Sequence, residues 1–116
     1  KHYAPRAAVT VFTGDKKEVA KQIDFRYHID SMQGKKAAVL CLDECAAFYP
    51  QLRVFALGAG AAEAEAALFR TLREIDEQGF DTAYFHAQEE KMGLAVMNRI
   101  IRAAGHRVVA AGEEKE

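Results

Sequence analysis

Two periodicities alternate along this chain. At residues 8–12, Val9 and Val11 point one way and Thr10 and Phe12 the other, the two-residue repeat of a strand. It ends at Thr13-Gly14-Asp15, where Thr13 or Asp15 can cap a following helix. That helix carries Val19, Ala20, Ile23 and Tyr27 on one stripe, predicted to rest on a sheet. If it runs on to about Met32, Phe25, Ile29 and Met32 form a second apolar line almost opposite the first, which a lone surface helix has no reason to carry. The segment 43–50, with Ala46, Ala47, Phe48 and Tyr49, is the nearest cover for it, a second copy or another domain being the others. Gly34 ends the helix.

Residues 37–42 are a continuous apolar run, expected of a central parallel strand covered on both faces. Residues 43–50 then read as one short helix or loop closed by Pro50, and 53–57 as a third strand. Gly58-Ala59-Gly60 leads into a helix over about 61–78, where Ala61, Ala64, Leu68, Phe69, Leu72 and Ile75 share a face and Gly79 stops it. A fourth strand, 82–86, feeds the last helix, 89–104, whose buried side is predicted to hold Gly93, Leu94, Met97, Ile100, Ile101 and Ala104. Its opposite flank puts small Ala95 beside Asn98, Arg99 and Arg102, which on spacing alone reads as solvent face. Residues 106–111 add a short edge strand. Strands alternating with helices predict an α/β fold: a three-layer α/β/α Rossmann-like sandwich with a mainly parallel sheet of four to five strands.

In such sheets ligands gather outside the carboxyl ends of the strands. That rim holds Thr13 to Asp15, Asp43, Glu44, Gly58 to Gly60, His86 and Gln88 to Glu90, and reads as acidic. A phosphate prefers bare helix N-termini or lysines, so the rim argues against a self-sufficient nucleotide binder.

Composition narrows the classes. A chain of 116 residues that is 50% hydrophobic suits one domain with a two-sided core. Its formal charge of -1 lacks the strong positive field that grips a nucleic-acid backbone, so no direct contact with nucleic acid is expected. Cys41 and Cys45 are too few for a disulfide framework; with no signal peptide and no apolar run of membrane length, reduced thiols and a cytoplasmic setting are expected.

Each chemical candidate has a plainer rival. Gly58-x-Gly60 begins like a dinucleotide fingerprint, but Glu63 replaces the third glycine. Cys41, Cys45 and His86 can be drawn as a metal site, yet zinc normally takes four clustered ligands and Cys41 lies inside an apolar strand, so no metal site is assigned. Asp15, Asp43 and Glu44 could hold Mg2+ as in a receiver-like domain, but capping and a solvated rim explain them equally.

The string Gly93-Leu94-Ala95-Val96-Met97-Asn98-Arg99, led by Glu89 and Glu90, resembles the closing helix of the C-terminal domain of two-domain threonylcarbamoyl-AMP synthases. The opening Lys1-His2-Tyr3-Ala4-Pro5-Arg6-Ala7 resembles the end of the linker that ties that family's catalytic, YrdC-like domain to the smaller one. The family's Ser-Pro-Gly run and Lys-Tyr pair are absent, so only His2, Tyr3, Ala4 and Pro5 carry over. Between the ends, the Leu57-Gly58 turn and the Leu68-Phe69-x-x-Leu72-Arg73 helix match in layout. Opening in mid-linker without a methionine, the chain reads as a fragment of a longer protein.

The resemblance implies a noncatalytic accessory domain: residues 1–7 end the linker, 8–112 form the domain and 113–116 a solvated tail. The partner would be the N-terminal catalytic domain of the same chain, which takes ATP, with Mg2+, L-threonine and bicarbonate to threonylcarbamoyl-AMP for tRNA modification. No cofactor is expected in this part. His2, Tyr3, Ala4 and Pro5 would lie as a lid over the partner's active site, excluding water from a reactive carbamoyl intermediate. Ala95, Asn98, Arg99 and Arg102 would serve in domain docking, and self-association through the second apolar line is possible. The rival is an independent small-molecule-binding or receiver-like module, which needs a pocket at the strand ends.

Overall fold

The computed structural model describes residues 4–112. In chain order it contains β1 (Ala8–Gly14), α1 (Lys16–Met32), β2 (Ala37–Cys41), a 3-10 helix (Asp43–Phe48), β3 (Val54–Ala56), α2 (Ala61–Glu77), β4 (Thr82–His86), α3 (Glu89–Ala103) and β5 (Val108–Ala111). The strands form one parallel sheet in the order β3-β2-β4-β1-β5. Ala8 of β1 stands opposite Thr82 of β4, and Val11 opposite Val108 of β5. The expected sandwich is therefore the fold, with the edge strand formed.

Alternation sends the side chains of each strand to two cores. Val9, Val11, Leu40 and Phe85 meet Leu68, Leu72 and Ile75 of α2 and Val96, Met97 and Ile100 of α3 on one face. Phe12, Val39, Cys41 and Tyr84 meet Val19 and Ile23 of α1, with Cys45 and Tyr49, on the other. Every residue of β2 and β4 is buried, as a continuous apolar run between two helical layers requires.

Helix α1 starts where Asp15 accepts hydrogen bonds from the amides of Lys17 and Glu18, both at 3.1 Å, satisfying donors that a helix start leaves open. It runs unbroken to Met32, so the second apolar line exists: Phe25 is 67% and Met32 81% exposed, with Ile29 half-buried. The 43–50 segment does not cover it. Cys45 and Tyr49 are drawn instead into the core beneath α1, alongside Val19 and Ile23.

The buried side of α3 also differs from the expected stripe. Met97, Ile100 and Ala104 are buried as expected, but Leu94 is 80% exposed and Met92 and Val96 take the interior. The cause is Gly93, whose φ of 81° and ψ of 166° break the helix after its first turn, so counting 100° per residue across it misplaces what lies before and beside the break. That backbone region is essentially glycine-only, while a Cβ at Gly93 would meet only the Ala61 Cβ, at 3.8 Å. Gly93→Ala should therefore cost about 1–2 kcal/mol from backbone strain without a clash, read as a lower urea midpoint at unchanged m-value. An unchanged midpoint would show that the break straightens freely.

Candidate functional site at the carboxyl ends of the strands

Neighbouring β1 and β4 send the chain in opposite directions: after β1 it crosses to β2 through α1 on one face, and after β4 to β5 through α3 on the other. Such a reversal opens a crevice at the carboxyl ends of the two strands. Here it measures about 310 Å3 and is lined by Gly14, Lys16, Ala87 and Gln88 to Lys91. This is the pocket the small-molecule reading required. Its rim is less acidic than the sequence suggested, because Lys16 and Lys91 lie on it. Lys91 Nζ bridges both Glu44 oxygens at 2.8 and 2.9 Å, and Gln88 Nε2 donates to Glu44 at 2.5 Å. Those contacts, Lys91 foremost, hold the Glu44 carboxyl below its usual range and brace the 3-10 helix against α3.

Under the crevice lies a buried polar relay. The Tyr49 hydroxyl and His86 Nδ1 are 2.7 Å apart, His86 Nε2 and Cys45 Sγ 3.8 Å, and the Cys45 thiol donates to Gln88 Oε1 at 3.2 Å. Phe48 stacks on the imidazole with centroids 6.0 Å apart. The directions are mutually consistent if Tyr49 donates to Nδ1 and Nε2–H faces the sulfur, one tautomer satisfying the whole row. Burial first, then the charge of Lys16, pushes His86 down to about 4, so it is neutral at physiological pH. Burial likewise pushes Cys41 up to about 12 and raises Cys45 and Tyr49. Neither cysteine presents a thiolate nucleophile. Cys45 and His86 do come together, but Cys41 stays inside β2, and among the described residues no group of three or more His, Cys, Asp or Glu side chains is placed to hold a metal. Tyr49, the relay's third member, escaped sequence reasoning because its aromatic neighbours marked it as cover for α1.

The expected docking flank of α3 is exposed at Ala95, Asn98 and Arg102. Arg99 is partly used within the domain: its Nη1 meets Glu65 of α2 at 3.1 Å and its guanidinium sits 5.7 Å from the Phe69 ring centroid. Leu94 joins the flank, adding an apolar side chain. Of the expected lid, His2 and Tyr3 lie outside the described residues; Ala4 is exposed and Pro5 half-buried. Just after them the chain is clamped. The buried Asp76 carboxylate on α2 accepts the Arg6 amide at 2.9 and 3.1 Å and the Ala7 amide at 3.0 Å. A carboxylate beside Ile75 on an otherwise apolar stripe is the sequence signal that could have found this anchor.

The family model for the threonylcarbamoyl-AMP synthase C-terminal domain matches residues 1–105. The threonylcarbamoyl-AMP synthase of Pyrococcus abyssi is 36% identical over 110 residues, which cover 94% of this chain and 31% of that protein. The chain thus spans about a third of the curated relatives it matches. The crystal structure of Pyrococcus abyssi Sua5 complexed with L-threonine superposes with a TM-score of 0.82 at 36% identity, over 96% of this chain and 32% of that one. The separately crystallised C-terminal Sua5 domain from Pyrococcus horikoshii superposes with a TM-score of 0.72 at 30% identity, over 93% of this chain and all of that one.

Proposed function

Since this chain belongs to the family of threonylcarbamoyl-AMP synthase C-terminal domains, we propose that it is the noncatalytic accessory domain of a longer, cytoplasmic enzyme. An N-terminal YrdC-like domain of the same chain would join ATP, L-threonine and bicarbonate into threonylcarbamoyl-AMP for tRNA modification, holding the ATP and Mg2+ itself. Residues 1–7 then end the linker, 8–112 form the accessory domain and 113–116 a tail.

The observation that carries this reading is the match of 93–94% of the chain to 31% of the synthases' length. The Asp76 clamp supports it mechanically. A lid of His2, Tyr3, Ala4 and Pro5 works only if its far end is fixed, and the amides of the next two residues are tied to α2. The exposed flank of Leu94, Ala95, Asn98 and Arg102, with Arg99 beside it, would face the catalytic domain. A formal charge of -1 favours no direct hold on tRNA.

In the full-length parent, His2→Ala with Tyr3→Phe should slow adenylate formation, by up to about a hundredfold if the lid positions the reacting groups, while leaving the melting temperature nearly unchanged. The 116-residue chain alone, as a control, should form no product. Equal kinetics in variant and parent would reject the lid, and product from a clean preparation of the chain alone would reject the noncatalytic assignment. A second reading, an independent small-molecule module, rests on the crevice at Lys16 and Gln88; saturable binding of L-threonine there by the isolated chain would favour it.

A further inference from the structure

The opposite end of the sheet carries a feature that neither the fold nor the lid explains. Where α1 and α2 end and β2, β3 and β4 begin, a cleft of about 470 Å3 opens, lined by nine residues that include Lys35, Lys36 and Arg53 but no carboxylate. In a chain of formal charge -1, three cations around one cavity are a local excess. Among the described residues none of the three forms an ion pair.

The plain account is that these cations answer the negative ends of α1 and α2, neither of which has a basic residue in its last turn. Lys36 Nζ does donate to the Gln78 carbonyl at 2.5 Å. The magnitudes leave a remainder. Each helix end carries roughly half a negative charge, so two ends offset about one of three positive charges and about two remain. The nearby carboxylates keep their charge but face neutral donors and pair with none of the three cations: Asp81 accepts the Lys36 amide, Glu74 the Gln78 side chain, and Asp30 the Tyr84 hydroxyl beneath.

Two of the cations are also pre-placed. Lys36 Nζ sits 4.4 Å from the Phe80 ring centroid, and the Arg53 guanidinium 4.3 Å from that of Phe55, with one Nη donating to Gln78 Oε1 at 3.0 Å. The Phe80 and Phe55 rings seat the cations, and Tyr27, the other ring on the cleft, accepts the Arg53 amide at its hydroxyl at 3.0 Å. Fixed cationic donors around a cleft with no carboxylate in its lining suit a compact anion with several acceptor oxygens. We propose that this cleft binds a phosphate group carrying about two negative charges, free or as a small ester, through Lys35, Lys36 and Arg53. A carboxylate offers one charge and two oxygens, and matches the excess less well.

The isolated chain serves for the test, since the Pyrococcus horikoshii domain was crystallised by itself. Titration with pyrophosphate, followed by amide resonances, should give saturable shifts confined to Gly34 to Ala37, Arg53, Gln78 and Phe80. Lys35→Glu with Arg53→Glu should weaken the interaction at least tenfold while preserving the spectrum elsewhere. Two further arms define the ligand: AMP binding about as well as inorganic phosphate places recognition in the phosphate, and acetate should bind more weakly than either. Absence of saturation at millimolar pyrophosphate, equal affinity in the charge-reversed variant, or acetate matching phosphate would each overturn the proposal. If the double variant does not fold, Lys35→Gln serves, with at least a threefold loss expected and no loss counting against the site.

Discussion

Acidification from pH 6.5 to pH 4 should remove about 3 kcal/mol of folding stability through His86. Its imidazole is fully buried, hydrogen-bonded to Tyr49 and stacked by Phe48. An unfolded histidine takes up a proton near 6.5, whereas this one does so only at about 4. Between those values the unfolded state binds more protons than the native one, so stability falls as pH falls. The contribution is fully present above 6.5 and exhausted below 4. A displacement of this size corresponds to about 3 kcal/mol at 1.36 kcal/mol per pH unit. Urea unfolding across this range will include carboxylate contributions, which His86→Gln shares with the parent. The stability gap between parent and variant should therefore narrow by about that amount toward pH 4. A constant gap would mean that His86 is not held neutral by burial. Direct titration of the imidazole by NMR gives the same answer if the variant folds poorly: no protonation should appear above about pH 5.

Asp76→Ala is expected to cost about 3 kcal/mol. Hydrogen bonds to a charged group contribute about 1.5–3 kcal/mol each, and a buried donor left without a partner carries its full desolvation cost. The substitution removes the acceptor of both the Arg6 and Ala7 amides, the latter in a buried setting. Asp76→Asn keeps one acceptor oxygen without the charge and should cost about half as much. Amide exchange separates this local effect from a general one: Arg6 and Ala7 should lose protection well before β4 does. A cost below about 1 kcal/mol, or exchange that rises evenly over the sheet, would show that the clamp is not what holds this end of β1.

Most of the fold was legible because it rests on short-range signals. Alternation at Val9 to Phe12, the unbroken apolar run through Val39, the Asp15 cap and the Gly79 stop each depend on residues within a turn or two. Pairing across long separations was not. Asp76 faces amides about 70 positions earlier; its place on an apolar stripe hints that it is buried, but nothing in a single sequence marks the amides it meets. Leu94 was misplaced for a different reason: periodicity assumes one continuous helix, and only the backbone angles of Gly93 reveal that the count restarts. At the rim, Lys16 and Lys91 belong to helix first turns, and counting strand-end residues passed over both. The 43–50 segment was read as one short helix or loop and is a 3-10 helix over Asp43–Phe48, but its direction was set by buried His86, whose hydrogen bond and stacking draw Tyr49 and Phe48 inward.

The strand order also bears on how the chain is made. β1 is synthesised before the rest of the sheet, yet it lies between β4 and β5, with Ala8 against Thr82 and Val11 against Val108. While the polypeptide is still emerging from the ribosome, β1 has neither neighbour, and the Arg6 and Ala7 amides await an α2 that is not yet made. Closing so long a loop must precede the contacts that reward it, which slows folding of such topologies. If a catalytic domain precedes this one on the nascent chain, it has the time of about seventy further residues' translation, some four to fourteen seconds at the usual elongation rate, to fold before its strap is fastened.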